Sequence, residues 1–191
     1  MTSNERIRSF IAVDLDDDGI KEKIVNAQKD LEQTGADLKL VEPGIMHFTL
    51  RFLGEIPEST VQKVKEILDG VRFQPFEAQF LGIGAFPNLN RINVILVGIV
   101  HGHEELRGIF EQVEPKLRQT GMAPDNKGFS PHLTIARVRS GVNKQLLAEL
   151  VTKKTDYEFG VVNANCLRRK KSQLSPKGPT YTTQREYCPM P

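Results

Sequence analysis

The 191-residue chain is long enough for one large domain or two small lobes sharing a core, and its 39% hydrophobic and 26% charged residues are those of a globular protein. Its longest apolar run, VILVGIV at 94–100, is far short of the ~20 residues a membrane helix needs, and MTSNERIRSF lacks the apolar stretch of a secretory leader, so a cytoplasmic protein is expected. The net charge of +2 is unevenly spread: residues 153–191 hold eight Lys/Arg against three Asp/Glu, leaving 18 basic and 21 acidic residues in 1–152. Such a segment suits an anionic partner, or simply an edge strand protected by charge. The two cysteines, Cys166 and Cys188, form no CxxC, so reduced thiols are the default and a single disulfide stays open.

In chain order, IRSFIAVDL at 7–15 reads as a strand. Ile20, Ile24, Ala27 and Leu31 repeat at helical spacing over 17–33, and Gly35 follows as a stop. A short strand is expected at 37–41, then a Pro43-Gly44 turn and a strong strand over 47–56. Pro57 opens a helix running to about 69, with Val61, Val64, Ile67 and Leu68 on its apolar face. Residues 76–86 and 91–100 form an antiparallel hairpin around a Pro-Asn turn, and a helix over 103–119 follows. The strand at 131–139 leads to a helix near 142–152, and two last strands, 157–169 and 179–187, bracket SPKG at 175–178. The hairpins argue against a parallel doubly wound sheet and for α+β.

Two of the four histidines open the same pattern, HFTL at 47–50 and HLTI at 132–135, 85 residues apart. Each is followed by a helix, which suggests an internal duplication. Side chains alternate along a strand, so His47, Thr49 and Arg51 should share one face, with Phe48, Leu50 and Phe52 on the other. In the second copy His132 and Thr134 oppose Leu133 and Ile135. Near neutrality one imidazole can be neutral and the other protonated, which divides base and acid work. A threonine hydroxyl two residues on can hold a phosphoryl oxygen without adding negative charge. The chemistry that needs this set is in-line phosphoryl displacement, with no metal and no cofactor expected.

Other signals are weaker. DLDDDG at 14–19 opens like a calcium loop, but Val25 stands where that loop needs Glu, so helix capping by Asp16 to Asp18 is the better reading. His101 and His103 beside Glu104 and Glu105 are too few organised ligands for a metal. Arg168-Arg169-Lys170-Lys171 could follow an RNA backbone.

In RSFIAVDL, HFTLRFLGE, FLGIGAFPNLNRINVILVGI, FSPHLTIARV and SQLSPKGPTY, taken in this order, the chain resembles the 2H phosphoesterases. Within them it is similar to the RNA 2′,3′-cyclic phosphodiesterases once called 2′-5′ RNA ligases. The resemblance spans nearly the whole chain. It implies one bilobal, pseudo-twofold domain over residues 1–191, with antiparallel sheets lining a central groove and helices on the outer faces. It also implies hydrolysis of 2′,3′-cyclic phosphate ends of RNA or nucleotides to 2′-phosphomonoesters, by a monomer. His47 would donate the proton to the leaving oxygen and His132 accept one from water, with Thr49 and Thr134 on the phosphoryl group. Arg137 matches a basic family position, but strict alternation puts it on the Leu133 face, so only a bulge brings it to the groove. Arg51 matches no such position and is expected in a structural ion pair or on a solvated rim. Phe129 could pack against a base or belong to the core. Ligation from the same site, with a 5′-hydroxyl replacing water, and a non-catalytic nucleotide-binding module are the alternatives.

Overall fold

The computed structural model describes residues 6–125, 128–176 and 178–189. The leader reading of the first five residues and Lys177 in the SPKG turn therefore fall outside the described residues. The chain runs β1 (Arg6–Asp14), α1 (Asp18–Gln33), β2 (Leu38–Leu40), a 3-10 turn (Pro43–Ile45), β3 (His47–Pro57), α2 (Glu58–Asp69), β4 (Phe76–Asn88) and β5 (Arg91–His101). It continues as α3 (His103–Gln119), β6 (His132–Val138), α4 (Lys144–Lys153), β7 (Glu158–Ala164), β8 (Leu167–Ser175) and β9 (Gly178–Tyr187).

The helices begin and face as their sequences dictate. Asp17 caps α1 by accepting from the Ile20 N–H at 2.7 Å, a contact of the kind that contributes about 1 kcal/mol. The apolar stripes of all four helices, such as Ile24 and Leu31 of α1 and Ile109 and Leu117 of α3, join the inward residues of the strands in one core cluster. Both motif strands contribute to it through Phe48, Leu50, Leu133 and Ile135.

Every ladder is antiparallel, in the order β7-β4-β5-β6-β3-β1-β8-β9, with β2 pairing β6. The two expected sheets thus meet as one, joined at its centre by a single pair, Phe48 opposite Leu133. The α+β reading and the bilobal, two-repeat organisation hold.

One predicted element does not hold. The strand read over 157–169 is two strands, and they lie near opposite ends of the sheet: β7 pairs β4, whereas β8 pairs β1. Only Asn165 and Cys166 separate them, so Ala164 and Leu167 are at most about 11 Å apart. A sheet whose distant strands are joined by two residues must coil strongly. The register shifts in the β1–β3, β4–β5, β4–β7, β5–β6 and β8–β9 ladders supply that coil. Cys166 is bonded to Cys188 at this point, tying the start of β8 to the end of β9, where the sequence alone makes reduced thiols the default.

Candidate active site

Antiparallel pairing of Phe48 with Leu133 sets His47 alongside Thr134 and Thr49 alongside His132. The two histidines therefore lie on a diagonal, a spacing of roughly 7–8 Å between strand positions. All four side chains are partly exposed, whereas Phe48 and Leu133 point the other way into the core. A local twofold axis passes through the Phe48–Leu133 pair.

The histidines are oriented by the same device. His47 Nδ1 is 2.8 Å from the Ile45 carbonyl, and His132 Nδ1 is 2.8 Å from the Ser130 carbonyl, each two residues upstream. Since a carbonyl only accepts, each Nδ1 carries the proton and donates it. In a neutral ring that leaves Nε2 with a free lone pair.

Their surroundings break the symmetry. His47 packs against Phe10, centroids 4.8 Å apart, and meets Tyr181 edge-on at 5.1 Å. Asp14 lies opposite it in the register and is bonded through both oxygens to Lys170 Nζ. Burial holds the His47 pKa below 6.5; the Ile45 carbonyl opposes this, Lys170 adds to it and Asp14 opposes it. His132 instead lies opposite Gly98, which has no side chain. A Cβ there would sit 2.9 Å from the Leu81 carbonyl oxygen.

Strict alternation fails in both motif strands, at matching positions. On β3, Ala12 pairs Thr49 and Ile11 pairs Arg51, so Leu50 is an extra residue. On β6, Leu96 pairs Thr134 and Ile95 pairs Ala136, so Ile135 is the extra one. Each bulge reverses the faces downstream. Arg51, expected beside Thr49, is buried at 8% exposure, and Phe52, expected in the core, is 60% exposed. Arg51 is locked by Glu114 at 2.6 Å and by the Phe52 and Ala123 carbonyls, the structural ion pair anticipated as one of its two roles. The bulge at Ile135 turns Arg137 onto the Thr134 face, where it is exposed.

Each bulge has a buried polar group beneath it. Gln28 of α1 donates to the Ile135 carbonyl at 2.8 Å, and the Val41 N–H donates to the same oxygen. Glu114 of α3 holds Arg51, takes the Asp125 N–H, and is paired with Arg118. Burial alone would raise the Glu114 carboxyl, but Arg51, Asp125 and Arg118 together hold it below its ordinary value.

The remaining sequence candidates have partners of their own within the protein. Phe129 stacks on Phe110 of α3, centroids 4.8 Å apart, the packing expected of its core reading. The basic run is largely engaged within the protein: Arg168 by Asp14, Asp16 and Glu186, and Lys170 by Asp14, while Arg169 is buried. Among the described residues no group of three or more His, Cys, Asp or Glu gathers to hold a metal. Sequence reasoning missed Phe10, Asp14, Lys170 and Tyr181 as neighbours of His47. Alternation in RSFIAVDL puts Phe10, Ala12 and Asp14 on one face and holds part of that signal; Tyr181 closes the stretch GPTY, whose place in the order of motifs carries no role by itself.

A family model described as LigT-like phosphoesterase matches the chain twice, over residues 13–96 and 97–181. A relative from Archaeoglobus fulgidus is 38% identical over 181 residues, covering 95% of this chain and 99% of its own. One from Methanocaldococcus jannaschii is 37% identical over 182 residues, covering 95% and 100%. Both are named RNA 2′,3′-cyclic phosphodiesterase. A crystal structure from Thermus thermophilus superposes with a TM-score of 0.79 at 26% identity over 95% of this chain and 97% of that one. Escherichia coli LigT complexed with 3′-AMP has the same fold, with a TM-score of 0.81 at 19% identity over 98% and 100%.

Proposed function

The chain belongs to the LigT-like phosphoesterases, and from that premise we propose that it hydrolyses 2′,3′-cyclic phosphate ends of RNA or nucleotides to 2′-phosphomonoesters without a metal. The observation that carries this reading is the pair of imidazoles on one face, each with Nδ1 tied to a carbonyl two residues upstream. The names of the relatives support the substrate class.

In this reading the cyclic phosphate sits over the local axis. His132 Nε2 takes a proton from water as its oxygen bonds to phosphorus. The bond to the 3′ oxygen breaks, and protonated His47 delivers its Nε2 proton to that oxygen. Thr49 and Thr134 donate hydroxyl hydrogen bonds to the non-bridging oxygens, and Arg137 balances their charge. The assignment of donor and acceptor follows the family resemblance; the aromatic wall and the Asp14–Lys170 pair surround the donor, and Gly98 lies opposite the acceptor. A cytoplasmic location goes with an RNA substrate, and we read the chain as a monomer, checked by light scattering.

The test is an oligonucleotide with a 2′,3′-cyclic phosphate end, incubated with the protein in EDTA. Conversion to the 2′-phosphate is expected. His47→Ala and His132→Ala should each slow it at least about a hundredfold while changing binding much less. Binding without turnover by the unaltered protein, or full activity in either variant, would refute the reading.

A further inference from the structure

The bulge at Ile135 puts Arg137 on the Thr134 face of β6, and the residue directly opposite it in the β2–β6 ladder is Lys39. Opposite residues of an antiparallel pair share a face, so two cations stand side by side where the groove runs on past His47 and Thr134. Like charges in that position destabilise a sheet. Among the described residues neither Lys39 nor Arg137 has a carboxylate as partner. The cations of β8 are treated differently: Lys170 is held by Asp14, and Arg168 by Asp14, Asp16 and Glu186. An uncompensated pair beside neutralised ones is a place for an anion from outside the chain.

The pair is continuous with the site. Tyr181 of β9 meets His47 edge-on at 5.1 Å, and the charge of Arg137 opposes the burial that raises the Tyr181 phenol. Three residues before Tyr181, a Cβ on Gly178 would lie 3.4 Å from Lys39 Nζ, so the start of β9 lies against the ammonium. Arg137 stands three residues beyond Thr134, less than about 10 Å along the strand, and Lys39 a further ~4.8 Å across the ladder. Arg137 is therefore between the phosphate over the axis and Lys39, and Lys39 is left for a second anion farther along the substrate.

Resting on the reading that the groove hydrolyses 2′,3′-cyclic phosphate ends, we propose that Lys39 selects polynucleotide ends over mononucleotides. Its ammonium, with Arg137 beside it, binds the phosphodiester that joins the terminal nucleoside to the one before it. A nucleoside cyclic monophosphate has no phosphate at that place. An ammonium is a point charge that takes any oxygen of the linkage, so the selection is for chain over monomer and carries no base preference.

The test measures kcat/KM for a dinucleotide with a 2′,3′-cyclic phosphate end and for the same dinucleotide with an uncharged methylphosphonate linkage. The unaltered protein is expected to prefer the charged linkage about tenfold, the scale of one charged contact. Lys39→Met, which keeps the apolar stem, should reduce that preference to about twofold and leave the nucleoside cyclic monophosphate within about twofold of its original rate. Lys39→Arg should restore the preference. Lys63→Ala, which removes an exposed charge from α2, should not alter it. No preference in the unaltered protein, the same preference in Lys39→Met, or an equal loss in Lys63→Ala overturns the proposal. If the unaltered protein turns over neither dinucleotide, calorimetric titration compares the two linkages in dinucleotides ending in a 2′-monophosphate. A preference for the charged linkage that Lys39→Met abolishes supports the subsite and refutes only the catalytic reading. Equal affinity overturns the subsite.

Discussion

His47 and His132 carry the same side chain, the same Nδ1 contact and the same threonine two residues on, yet they differ in what surrounds them. Burial by Phe10 and Tyr181 favours the neutral ring of His47, and Lys170 works in the same direction. A phosphate anion over the axis works in the opposite direction, so ligand binding should itself load the proposed acid with its proton. In a proton NMR titration of the free protein, the His47 ring should titrate below 6.5, and inorganic phosphate should move its midpoint upward. Asp14→Asn removes the one carboxylate that favours the imidazolium and leaves Lys170 uncompensated, so the midpoint should fall further. A midpoint that ignores phosphate would sink the idea that His47 faces the anion.

At the scale of elements, the decisive features are the bulges at Leu50 and Ile135. Without them Arg137 would point into the core and Arg51 into the groove, reversing the charge pattern of the site. Each is underwritten by one polar residue on a helix, Gln28 below β6 and Glu114 below β3. Gln28→Leu withdraws a donor from the buried Ile135 carbonyl. It should cost about 1–3 kcal/mol in urea unfolding and raise KM as Arg137 loses its direction. Glu114→Gln leaves the buried Arg51 cation without its counter-charge. That should cost about 3–5 kcal/mol with a smaller effect on KM, because Arg51 does not reach the groove. The Glu114 carboxyl is held below its ordinary value in the fold, so its stabilisation is complete above the unfolded-state value of 4.5 and fades as pH falls through the lowered one. The variant should accordingly lose less stability than the parent on acidification below 4.5. An unchanged KM in Gln28→Leu would show that the bulge does not depend on this contact.

At the scale of the whole molecule we propose, from the core and sheet that the described residues share, that they unfold as one unit despite the internal repeat. Far- and near-ultraviolet circular dichroism should therefore report coincident urea transitions. The Cys166–Cys188 bond, 22 residues apart in sequence, fastens β9 to the start of β8. By loop entropy alone, its removal in Cys188→Ser should lower stability by about 3 kcal/mol. Hydrogen exchange should then loosen first in β9, an edge strand paired, among the described residues, only to β8. Two separated transitions in the parent protein would show that the lobes fold independently.

Local rules were enough for most elements. The 3.6-residue repeats and turn residues marked all four helices to within two or three residues, because those preferences act over a few neighbours. The placement of the motif residues was likewise legible, since two HxT copies on apolar-backed strands leave both histidines on outward faces. What lay beyond such rules was every outcome set by partners distant in sequence. Asn165-Cys166 breaks a run that reads as one strand because β4 claims one half and β1 the other. The reversal of Phe52 and Arg137 arises from ladder bulges that only cross-strand registers and buried helix residues define. Alternation is a property of one strand, but which residue is skipped is decided by the strand beside it and the helix beneath it.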